Sequence, residues 1–85
     1  MKTVHITIAK KDIGLRFDMT AMEGIEESFG GLGQMMKQLN EEKSRCKTIC
    51  EAITILGNAA MVAEDKEPTI THRWISSHMG FGQLK

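Results

Sequence analysis

The sequence predicts an α+β fold, an N-terminal β-hairpin packed against three to four α-helices, in one domain over residues 1–85. Three observations carry this. Apolar residues alternate with polar ones near the N-terminus, the period of a half-buried strand. The period then changes to that of a helix. The longest helical stripe, Cys46, Ile49, Cys50, Ile53 and Leu56, recurs at i, i+3, i+4, i+7 and i+10.

The hairpin is expected over 3–18. Val4, Ile6 and Ile8 alternate with His5 and Thr7, and Ile13, Leu15 and Phe17 alternate with Gly14, Arg16 and Asp18. Lys10-Lys11-Asp12 supplies the polar turn. A lone two-stranded hairpin is marginal in water, so its apolar face requires helices against it.

A first helix is expected over 20–29. Thr20-Ala21-Met22-Glu23 fits a capping box with Thr20 as cap, and Met22, Ile25 and Phe29 share a face. Gly24 inside it costs roughly 1 kcal/mol relative to alanine and marks a candidate close backbone contact. Gly30-Gly31 stops the helix. A short amphipathic helix over 32–39 carries Leu32, Met35, Met36 and Leu39. The long helix is expected over 42–62, with Asn40 or Ser44 as cap and both Cys46 and Cys50 in the buried stripe. After the charged loop Glu64–Pro68, Thr69 or Thr71 caps a last helix over 71–79, which Gly80-Phe81-Gly82 ends.

Composition narrows the function classes. Eleven basic residues balance eleven acidic ones, for a formal charge of zero. General nucleic-acid binders and binders of anionic membranes carry a basic excess, so neither is expected as a partner. Zero charge also removes self-repulsion, which favours a homo-oligomer. No apolar run approaches the ~20 residues of a membrane span. The start, Met1-Lys2-Thr3-Val4-His5-Ile6, turns polar too soon for a signal peptide, so the expected location is a cytoplasm, with both cysteines as thiols.

The residues that could carry chemistry read more simply as structure. Cys46 and Cys50 share a helical face and could form half of a metal site with His72 and His78. Zinc sites, however, usually place paired cysteines on turns, and free cysteine packs as a small hydrophobe. His5 lies on a polar strand face, and His78 follows Trp74 by one turn, where a stacked ring is expected. No serine or cysteine is marked as an activated partner of a histidine. Gly30-Gly31-Leu32-Gly33 lacks the phosphate-loop pattern. The chain is therefore read as no enzyme, with no catalytic residue, no cofactor and no metal ligand.

Seven methionines are many for 85 residues; most of them read as gap-fillers of a small core, and methionine also suits surfaces that adapt to apolar partners. Adjacent helical residues point about 100° apart, so one helix face cannot bury both Met35 and Met36. Met35, Met36 and Leu39 are accordingly the candidate partner-binding strip.

The hairpin followed by LRFDMTAMEGIEESFGG, ICEAITILGNAA and PTITHRWISSHM resembles the phage tail assembly chaperones, including their relatives in gene transfer agents. Leu15-Arg16-Phe17-Asp18 matches the family's strand, Ala21 through Gly30 its first helix, Ile49 through Ala60 a later helix, and Thr69 to Met79 the terminal one. The resemblance runs from about Ile13 to Met79 and rests on core and cap positions. It implies a protein that coats the apolar, helical tape-measure protein until tail-tube subunits replace it. Two other readings share parts of the pattern. One is a structural tail or head–tail connector subunit. The other is a helix-turn-helix DNA binder, disfavoured because the long helix offers mainly Arg45 and Lys47 beside acidic Glu41, Glu42 and Glu51.

Overall fold

The computed structural model describes residues 3–78. Two strands, β1 (Val4–Ile8) and β2 (Lys11–Leu15), pair antiparallel, and four helices follow: α1 (Met19–Phe29), α2 (Leu32–Leu39), α3 (Arg45–Ala63) and α4 (His72–His78). The fold is thus α+β, as the change of hydrophobic period requires. The expected helical position of Met79 and the stop at Gly80-Phe81-Gly82 lie outside the described residues.

The register pairs Val4 with Leu15, Ile6 with Ile13 and Ile8 with Lys11. The turn is Ala9-Lys10, not Lys10-Lys11-Asp12: both turn residues have positive φ, 53° and 65°, and Lys11 and Asp12 already belong to β2. Such a two-residue turn matches the right-handed twist of its strands. Ile8 and Ile13 point to the core, while Phe17 lies beyond β2 and is exposed.

The first helix also starts differently from its capping-box reading. Asp18 is the N-cap; its carboxylate accepts the Ala21 N–H at 3.1 Å, and it also accepts from Arg16 Nε at 3.2 Å. A carboxylate at the positive end of the helix dipole gains more than a hydroxyl does, so the helix begins earlier and Thr20 sits exposed in the first turn. Gly30 closes α1 at φ 85°, with its N–H donating to the Glu26 carbonyl.

The core forms where the hairpin meets α3 and α4. Ile8, Ile13, Cys50, Ile53 and Ile75 are buried together, with Ile6, Leu15, Ile49, Ile70 and Trp74 packed around them. α3 is the central element, with β2, α1, α2 and α4 all packed on it. That is why its burial is broader than one stripe: Thr48, Thr54, Gly57 and Ala60 are buried as well. The Thr54 hydroxyl meets the cost of burial by donating to the Cys50 carbonyl at 2.8 Å. Contrary to the expectation that no apolar stretch approaches a membrane span, α3 at 19 residues is long and apolar enough to cross one; here β2, α1, α2 and α4 pack on it.

Two expectations about α3 are corrected. It begins at Arg45 rather than 42, because residues 41–44 close tight turns, with Ser44 N–H on the Glu41 carbonyl and Ser44 Oγ on the Gln38 carbonyl. Neither Asn40 nor Ser44 caps it through a side chain. Cys46 is exposed, not buried. The first turn carries Arg45, Cys46 and Lys47 at the surface, and burial starts at Thr48. At the other end, Thr71 caps α4 by accepting the Trp74 N–H at 3.1 Å.

Candidate partner-binding surface

The apolar arc of α2 is wider than the surface that covers it. On a helix of 3.6 residues per turn, Met35, Leu39, Leu32 and Met36 fall in that order around an arc of about 100°. α1 and α3 pack against α2 from one side. Burial falls off across the arc: Met35 is buried, Leu39 is half-buried, Leu32 is 38% exposed and Met36 is 51% exposed. Of the three predicted strip residues, the structure therefore turns Met35 into the protein, leaves Leu39 half-buried at the boundary and leaves Met36 toward solvent. Leu32, one turn before Met36, joins them; its i, i+4 relation to Met36 was the available signal.

The ionisable side chains fall into separate hydrogen-bonded groups. Glu51 on α3 sits between two partners, with Nδ1 of His72 at 2.6 Å and the Ser28 hydroxyl at 3.5 Å. In a nucleophilic triad the imidazole lies in the middle, between hydroxyl and carboxylate. Here the carboxylate lies in the middle, and among the described residues no imidazole is hydrogen-bonded to the Ser28 hydroxyl. The group instead ties α1, α3 and α4 together. His5 pairs with Asp12 at 3.0 Å across the hairpin, in the open. The His78 ring stacks on Trp74, centroids 4.5 Å apart, and its Nδ1 is 2.8 Å from the Trp74 carbonyl oxygen.

The two cysteines differ in environment. Cys50 is buried, and that burial pushes its thiol pKa up, with the negative charge of a Cys46 thiolate as a second cause. Among the described residues no three of His, Cys, Asp and Glu are grouped to hold one ion. His72 in particular is directed at Glu51, on α3 one position past Cys50.

No family model, curated protein or solved structure matches the chain.

Proposed function

We propose that this chain is a polypeptide-binding protein of the tail assembly chaperone type, which holds an apolar helical segment of another tail protein during assembly. The observation that carries the reading is the uncovered edge of α2, where Leu32 and Met36 stand on one face of a short helix. A helix that buries one edge of its apolar arc and leaves the other exposed can take an amphipathic partner against the remainder. Methionine at the most exposed position of that edge is unbranched and polarisable, so it adjusts to partners of differing shape. The natural partners on this reading are the tape-measure protein and the tail-tube subunits, met in the cytoplasm of the bacterial host.

Co-expression with neighbouring tail proteins followed by pull-down tests the reading. Met36→Ser and Leu32→Ser should each weaken capture while the far-UV CD spectrum stays native. Met35→Ser should instead lower stability, because Met35 is part of the buried side. Capture unaffected by both surface variants would sink the reading. Recovery of the chain as a stoichiometric component of purified particles would point to a structural tail subunit instead.

A further inference from the structure

A recess lies on another part of the molecule, between the hairpin and the loop joining α3 to α4. Its volume is about 380 Å³, within the ~300–1,000 Å³ typical of ligand sites. One wall is the outer edge of β2 at residues 11–14. Gly57, Ala60 and Met61 of α3 face it, and Ile70 and Trp74 complete the apolar lining.

The direction of the β2 main chain follows from the turn. A hairpin closed by two residues has a hydrogen-bonded pair at its mouth, here Ile8 and Lys11. Pairs alternate along an antiparallel ladder, so the main-chain groups of Asp12, Gly14 and Arg16 point away from β1. Arg16 agrees: its N–H donates outward to the Leu56 carbonyl at 3.1 Å. The Gly14 carbonyl oxygen is directed the same way and lies 3.8 Å from where a Cβ on Gly57 would sit. The strand edge is thus pinned to α3 at Arg16 and borders the cleft at Gly14 and Asp12. Among the described residues no hydrogen bond from outside the hairpin reaches the main chain of either.

One cation of the rim has no carboxylate partner among the described residues. Asp12 lies 3.0 Å from Nδ1 of His5, and Lys66 pairs with Glu64 at 3.4 Å. Among the described residues no carboxylate pairs with Lys11, and its ammonium stands 5.6 Å from the centre of the Trp74 ring.

We infer that this cleft binds the C-terminal end of a polypeptide. Three chemical groups are called for together, and a chain terminus supplies all three. A main-chain amide pairs with the exposed edge of β2 at Gly14 and Asp12, as an added strand does. The terminal carboxylate pairs with Lys11. The last side chain, apolar, rests on Ala60, Met61 and Trp74. An internal peptide segment would leave Lys11 unmatched, and a simple organic acid would leave the strand edge unused.

The test uses an N-acetylated tetrapeptide ending in leucine, as the free acid and as the C-terminal amide, titrated into the full chain. Trp74 is the sole tryptophan, so its fluorescence reports the site directly; the Gly14 amide shift in NMR gives a second readout. The acid should bind saturably and roughly 3- to 10-fold more tightly than the amide, the scale of one partly exposed ion pair. Lys11→Met, whose CD spectrum should stay native because Lys11 is exposed, should reduce the acid to the affinity of the amide. The inference is overturned by equal affinity for acid and amide, by an acid preference that survives Lys11→Met, or by no saturable change. N-acetyl-leucine binding as tightly as the tetrapeptide would reassign the cleft to small acids.

Discussion

Asn58 holds the main chain of Ile70 with both atoms of its amide: Nδ2 donates to the Ile70 carbonyl at 2.8 Å, and the Ile70 N–H donates to Oδ1 at 2.9 Å. Twelve positions separate the two residues in sequence. The pair substitutes for a strand-like ladder where the α3–α4 loop has no sheet to join. It also sets the loop against α3, where Ile70 Cδ1 occupies the space left by the missing side chain of Gly57.

Asn58→Ala should therefore lower stability by about 1–3 kcal/mol, the sum of two modest hydrogen bonds and the cost of leaving Ile70 unpaired. Urea unfolding followed by Trp74 fluorescence would measure it. Asn58→Asp should also destabilise, because the carboxylate cannot donate to the Ile70 carbonyl. A variant as stable as the parent would show that the loop is held by other contacts.

Asp18 and Thr20 make opposite predictions for α1. Asp18→Ala removes the side-chain cap and should cost about 1 kcal/mol, within the usual range for lost caps. Thr20→Ala should be neutral or slightly stabilising, since Thr20 is exposed in the first turn and alanine is the better helix former. Thermal unfolding of the two variants side by side decides which residue caps the helix.

Gly24 is the closest helix–helix approach available to substitution. A Cβ there would lie 2.8 Å from Cγ2 of Ile55 on α3. That methyl sits on a β-branched side chain with little rotamer freedom in a helix, so it yields poorly. Gly24→Ala should destabilise by about 1–2 kcal/mol despite the gain in helix propensity. In an Ile55→Ala background the same substitution should become neutral or favourable. Additive effects in that double-mutant cycle would show that the two helices are not in contact at this point.

The thiols should separate by reactivity and by pH. Iodoacetamide should label exposed Cys46 in the native protein and reach Cys50 only after denaturant is added, as read by mass spectrometry. The raised thiol pKa of folded Cys50 means that the unfolded chain gives up this proton first as pH rises. Its contribution to stability is therefore fully present below about pH 8.5, the ordinary thiol value, and declines above it. Denaturation at pH 7 and pH 9.5 should show a loss in the parent that shrinks in Cys50→Ala and persists in Cys46→Ser.

Much of this was legible in the sequence. Ile8 and Ile13 are buried as the period of two requires, and the α2 bounds of 32–39 match because Gly31 and Asn40 flank a clear amphipathic run. Cys46 was not legible. It falls on the same helical stripe as Cys50, and only the placement of the first turn of α3 at the surface separates them. The same holds for Thr48 and Thr54, polar residues that pattern alone would leave outside. The cleft was equally hidden, since Gly14, Ala60 and Trp74 share no spacing along the chain.

The sequence by itself determined the elements, because strand and helix periods, glycine stops and caps are local and each is decided within a few residues. Tertiary structure decided which edge of α2 stays open, which cysteine is shielded and where β2 leaves its main chain facing a cleft. Those outcomes depend on how many neighbours surround α3, and that number is fixed only when the hairpin and the other three helices compete for its surface.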